Sequence, residues 1–121
     1  MSTLNAILDG KLHGDVQIAD NSVHVERLVP RLVLFVVRAG NLHAALFRKP
    51  LIITSGNDGE HAEGSAHYRN AAVDMRSWDV TPVQQQLFTL VLVDLGLEEG
   101  VVVFDERANP TKQHWHCEVA G

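Results

Sequence analysis

The chain is short of cysteine, of basic charge and of long apolar runs, and each shortage removes a class of protein. Its 121 residues include a single cysteine, Cys117. One thiol cannot make an intramolecular disulfide framework, so the fold must stand on packing and on any metal it binds. A closed structural zinc site rich in thiolates is excluded for the same reason. Lys and Arg number 10 against 15 Asp and Glu, a net charge of -5, and no basic run exceeds Arg48-Lys49. No nucleic-acid partner is expected, because its footprint would be a basic patch or stripe. The most apolar segment, Leu32 to Val37, is closed by Arg31 and Arg38. It falls well short of the ~20 residues that span a bilayer, so no membrane insertion is expected. The N-terminus, MSTLNAILDGKLHGD, lacks a basic region followed by a long apolar stretch. A product made in the cytoplasm with no signal peptide is therefore expected, and any route out would depend on another factor. Internal repeats, low-complexity tracts and linkers are also missing. The length predicts one domain over 1–121, with a monomer as the default oligomeric state.

What is present reads as mixed secondary structure. Residues 1–20 carry Gly10 and Gly14 and read as a short helix or loop. Asp20, Asn21 and Ser22 offer N-caps for a helix from near Val23. Pro30 then either kinks that helix or starts a new one in its first turn. Dense apolar residues from Leu32 to Phe47 predict the central core helix, with Arg38, Asn41 and Arg48 as its solvent stripe and Gly40 tolerated at some cost. After Lys49-Pro50, Leu51 to Thr54 reads as a buried strand and Ser55 to Ser65 as a loop. Ala71 to Arg76 alternates as a second strand. Thr81-Pro82 opens a helix through about Leu95 that ends at Gly96. Val101 to Phe104, an Asn109-Pro110 turn and His114 to Val119 complete the chain. Without regular βαβ alternation, the expected class is α+β, a small and mostly antiparallel sheet packed against helices.

The chemistry-bearing residues gather in two places. His114-Trp115-His116 closes the chain, and His67 and Asp74 lie some forty residues upstream. Two imidazoles and a carboxylate with no thiolate partner match an open, hydrolytic zinc site that keeps a position for water. Strand alternation points His114, His116 and Glu118 to one face and Trp115, Cys117 and Val119 to the other. In the same way Ala72, Asp74 and Arg76 share a face opposite Ala71, Val73 and Met75. Cys117 is thereby a poor ligand. A lone histidine near a strand end is ordinarily a surface or satisfied core residue. Two at i and i+2 are harder to dismiss, because imidazole has little β-preference. His13, His24 and His43 have no partner at a recognisable spacing and read as structural or exposed. Tyr68 and Trp78 read as cleft-lining or core, and Arg76 as pairing with a cleft carboxylate or with the surface.

Two segments resemble a known family. Ser65-Ala-His67-Tyr-Arg-Asn70-Ala-Ala72-Val-Asp74 is similar to the S-x-H-x-x-G-x-A-x-D motif of the zinc D-Ala-D-Ala carboxypeptidase group. His114-Trp115-His116 resembles its H-x-H motif, and Ile53-Thr54-Ser55-Gly56 resembles the strand and glycine turn before the first motif. The likeness covers roughly residues 50 to 119. It implies a hedgehog/DD-peptidase-like fold and a zinc metallopeptidase that hydrolyses peptidoglycan stem peptides, as carboxypeptidases, dipeptidases and bacteriophage endolysins of that group do. The cell wall would be reached by release through another factor or carriage on a phage particle.

By that resemblance His67, Asp74 and His116 are the Zn2+ ligands, and His114 stands beside the water as the base. The departures reassign other roles. Asn70 replaces a glycine, and asparagine is the next residue most tolerant of a left-handed backbone. Gln113 stands where relatives cutting L-Ala–D-Glu bonds place a carboxylate, which leaves His114, with Glu106 as second candidate, for proton transfer. Asn57-Asp58 occupies the region of an oxyanion-stabilising arginine, with His61 or Arg69 as substitutes. Ser65 joins His61 and Arg69 as a candidate substrate contact. A zinc-containing relative that only binds peptidoglycan or a partner is the alternative.

Overall fold

Proline decides where both helices begin. The structure is a computed structural model that describes residues 15–20, 22–25, 27–56, 70–111 and 113–120. Its elements run β1 (Val16–Ile18), α1 (Pro30–Phe47), β2 (Leu51–Ser55), β3 (Ala72–Arg76), α2 (Pro82–Glu99), β4 (Val101–Asp105) and β5 (His114–Val119). Pro30 and Pro82 each occupy the first turn, where a missing N–H costs nothing and the fixed φ already suits the helix. At α2, Thr81 adds a capping box: its hydroxyl accepts from the Gln84 N–H at 3.2 Å, and Gln84 Oε1 accepts from the Thr81 N–H at 2.9 Å. Both helices stop in left-handed residues, Arg48 at φ 58 and Gly100 at φ 71.

The strands form one five-stranded mixed sheet in the order β1-β2-β3-β5-β4. β1 pairs with β2 in parallel, and the other three pairings are antiparallel. Leu51, Ile53, Val73, Met75, Trp115, Cys117 and Val101 line the face that meets the helices. Phe35, Val36 and Ala39 of α1 and Phe88, Leu92 and Leu95 of α2 complete the core. Trp115 is fully buried; its indole N–H donates to Thr89 Oγ1 at 2.8 Å and its ring meets Phe88 edge-on. The structure is thus α+β as expected, with Leu51–Ser55, Ala72–Arg76, Val101–Asp105 and His114–Val119 close to the predicted strands.

Three expectations are corrected. No helix begins near Val23: residues 23–25 carry no regular structure, and the helix starts at Pro30, the second of the two alternatives. Val16–Ile18 is an edge strand rather than helix or loop; residues 1–14 lie outside the described residues. α2 continues past Gly96 to Glu99 and is capped by Gly100. Gly96 serves packing instead, because a Cβ there would strike the Val101 carbonyl oxygen. Gly40 is likewise required, since a Cβ would collide with Val16 Cγ2. Among the described residues no helix is long and apolar enough to cross a membrane.

His43 belongs to the core. It is 1% exposed, lies against Phe47 and Phe88 with ring centroids 5.0 Å away in each case, and bonds the Lys49 carbonyl through Nδ1 at 2.7 Å. Burial pushes its pKa down, against the Lys49 carbonyl and the charge of Asp79, which favour the charged ring. A lowered folded-state pKa means the unfolded chain takes up the proton first. Stability from this residue is therefore full above about 6.5, the ordinary histidine value, and is lost as pH falls toward the folded-state value. Denaturant titrations at a series of pH values should show a shallower acid loss for His43→Leu than for the parent. Parallel pH profiles would rule this account out.

Candidate metal centre

The register of β3 against β5 builds the site. Asp74 lies opposite His116 and Arg76 opposite His114, while Phe104 of β4 lies on the other side of His116. Glu106 follows β4 and continues the ladder: its N–H donates to the His114 carbonyl at 3.0 Å. Facing residues in an antiparallel pair share a side of the sheet. Arg76, His114 and Glu106 therefore form one row, and Asp74, His116 and Phe104 the next. These rows occupy the face opposite the hydrophobic core.

Distances within the rows are short. His116 Nδ1 stands 2.9 Å from Asp74 Oδ1, and His114 Nε2 stands 3.5 Å from the same oxygen. Glu106 Oε1 is 2.8 Å from His114 Nε2, and Glu118 Oε1 is 3.6 Å from His116 Nε2. Asp74 is only 8% exposed. The His116 pKa is raised, first by the hydrogen bond to Asp74, with burial opposing and the charges of Glu118 and Glu106 adding. The cluster thus stabilises a positive charge at its centre.

The same distances are compatible with a bound cation. Two donors held ~2.1 Å from a tetrahedral zinc lie roughly 3.4 Å apart. The 2.9 and 3.5 Å separations around Asp74 Oδ1 bracket that value. Donor atoms of Asp74, Glu106 and His114 also lie within 4.8 Å of one another. Imidazole and carboxylate are a borderline donor set suited to zinc and its neighbours, and geometry rather than raw affinity selects among them.

Of the residues singled out in the sequence, Asp74, His114, His116 and Glu106 come together. His67, and with it His61, Ser65, Tyr68, Arg69 and Asn57-Asp58, lies outside the described residues. Asn70 adopts φ 57, a left-handed backbone that asparagine tolerates, and its carbonyl accepts from the Val29 N–H at 2.9 Å. Gln113 contributes its backbone: its carbonyl accepts from the Ser77 hydroxyl at 2.5 Å, tying the ends of β3 and β5. Arg76 shares the site's face, but its guanidinium is held in a double hydrogen bond by Asp79 at 2.9 and 2.7 Å. It also lies 5.1 Å from the ring of Trp78, which is exposed rather than core.

Ser55 was read from the sequence only as part of the Ile53–Gly56 strand and turn, not as a site residue. Ile53 pairs with Met75, yet Ser55 pairs with Asp74, so β2 carries an extra residue at Thr54. Such a bulge re-aims the strand and places Ser55 beside Asp74, on the site's face. Gly56 then passes so close to His24 that a Cβ would strike its carbonyl oxygen. The only legible signal was the small-residue pair after the β-branched run.

Cys117 points into the core, fully buried, with its thiol 3.9 Å from Met75 Sδ, and burial pushes its pKa well up. Because the thiolate is the reactive form, a thiol reagent such as Ellman's should titrate nothing in the folded chain and one group after denaturation. Modification of the native chain at the rate of an exposed thiol would contradict this packing. Family models matched against the chain give no match, and neither do curated proteins, so the site is read from its own residues.

Proposed function

We infer that the chain is a zinc-dependent peptidase of the D-Ala-D-Ala carboxypeptidase kind, with a hedgehog/DD-peptidase-like fold, acting on peptidoglycan stem peptides. The observation that carries the reading is the approach of His116 Nδ1 to Asp74 Oδ1 at 2.9 Å beside the His114–Glu106 pair. Those are the residues that the motif resemblance assigns to metal and to proton transfer. Asp74 and His116 would hold Zn2+ together with His67. Zinc bound there supplies Lewis acidity, which acidifies water and polarises the scissile carbonyl.

The remaining work falls to the chain's own side chains. His114 Nε2 faces the carboxylates of Glu106 and Asp74 and carries the N–H that Glu106 accepts, which leaves Nδ1 as the nitrogen that would receive a proton. Glu106, 2.8 Å away, stabilises the imidazolium that results and orients the ring. Phe104, with its ring centroid 5.7 Å from that of His116, forms an apolar wall on the β4 side. Ser55, on the same face beside Asp74, is placed to meet a substrate amide.

A second reading has a specific observation behind it. Asp74, Glu106 and His114 alone could hold a cation, which would make His114 a ligand rather than a base. Variants separate the two. His116→Ala and Asp74→Ala should each lose zinc and muropeptide cleavage. His114→Ala should keep about one zinc per chain while turnover falls on the order of a hundredfold or more. Elemental analysis and mass spectrometry of digested peptidoglycan read both quantities. Loss of zinc from His114→Ala with its retention in His116→Ala would favour the second set. Stoichiometric zinc without cleavage would leave the silent, wall-binding alternative.

A further inference from the structure

The His116 ring lies between two carboxylates, one at each nitrogen. Nδ1 stands 2.9 Å from Asp74 Oδ1, and Nε2 stands 3.6 Å from Glu118 Oε1. Asp74 belongs to the candidate ligand set; Glu118 does not.

The strand β5 sets Glu118 two residues beyond His116, on the same face of the sheet. Its cross-strand neighbours are Ala72 on β3 and Val102 on β4, and neither side chain can donate a hydrogen bond. Among the described residues, the imidazole of His116 is the side chain that the Glu118 carboxylate pairs with. Side-chain exposure is 29% for Glu118 and 18% for His116, so solvent screens the pair only in part. The 3.6 Å gap is longer than a formed hydrogen bond. A small rotation of the unbranched glutamate side chain closes it.

Proton placement on the ring gives this contact its consequence. A neutral imidazole carries one N–H, and a nitrogen that lends its lone pair to a metal cannot be the one that carries it. Asp74 acting alone draws the proton to Nδ1, where Oδ1 accepts it at 2.9 Å. That tautomer removes the lone pair from the side of the ring that faces Asp74, itself a candidate ligand. A carboxylate at Nε2 favours the opposite tautomer, with the proton on Nε2 and the lone pair at Nδ1. Ligand histidines ordinarily have their second N–H held in this way.

We propose that Glu118 is a positioning residue for the metal centre: it accepts the Nε2–H of His116 and so presents Nδ1, beside Asp74, as the ligand atom. The proposal rests on the reading of Asp74 and His116 as zinc ligands and assigns which nitrogen of His116 binds. Glu118 itself stays outside the ligand set.

Zinc affinity of the full chain, measured by competition with a chromophoric chelator, tests it. Glu118→Ala should weaken binding about tenfold or more. Glu118→Gln keeps an oxygen that accepts the same N–H, so it should weaken binding only about threefold, a neutral acceptor making the weaker bond. Circular dichroism melts of the metal-free proteins separate these losses from a loss of fold. Long-range 1H–15N correlation spectra of the zinc-loaded parent should place the His116 proton on Nε2. That proton should exchange with water faster in Glu118→Ala. Equal zinc affinity of parent and Glu118→Ala would overturn the proposal while leaving the zinc reading intact. A loss in Glu118→Gln as large as in Glu118→Ala would make the carboxylate a ligand and overturn it too, as would a zinc-loaded His116 that carries its proton on Nδ1. A parent that binds no zinc would overturn the metal reading and this assignment together.

Discussion

The pairing of β3 with β5 in a single register is the constraint on which both faces of the sheet depend. Met75 faces Trp115 and Val73 faces Cys117, and all four are fully buried. A slip by one residue would turn these side chains to the opposite face and bring Asp74 and His116 into the core. Removing a buried Trp or Met side chain costs about 2–5 kcal/mol, so hydrophobic packing holds the register firmly. The polar face inherits its geometry from the apolar one. His116 meets Asp74 because Trp115 and Cys117 on either side of it are anchored among Phe88, Val73 and Met75.

That inheritance accounts for the electrostatics of the polar face. Asp74, Glu106 and Glu118 surround two imidazoles. The guanidinium of Arg76, on the same face, is committed to Asp79 and Trp78. Carboxylates brought together favour a bound cation, and the raised pKa of His116 expresses the same preference in protons. Metal and proton compete for one place, which is why ligand imidazoles have to be neutral when a metal binds.

Much of this was legible in the sequence, for physical reasons that differ by element. Period-two alternation in His114–Val119 and Ala72–Arg76 placed every side chain on its correct face, because strand geometry allows no other arrangement. Thr81-Pro82 was legible because capping is local. The short β1 was not, since Val16–Ile18 is held by pairing with β2, a contact between residues far apart in sequence. Nor was the end of α2, where Gly96 imitates a C-cap but is required by the Val101 carbonyl. The bulge at Thr54 escaped notice for the same reason: an extra residue in one strand is defined only by its partner.

α2 presents the opposite difficulty, an apolar pattern with too many solutions. Hydrophobicity around its whole circumference ordinarily identifies a helix surrounded by protein. Here the sheet and α1 cover one side, through Phe88, Leu92 and Leu95, and the other side meets solvent. Periodicity gives no means of telling a core-facing leucine from an outward-facing one when both faces are apolar. The distinction lies in tertiary structure: only Phe88, Leu92, Leu95 and Gly96 are buried against the rest of the fold. The helix layer and the polar sheet face thus communicate only through the buried residues between them.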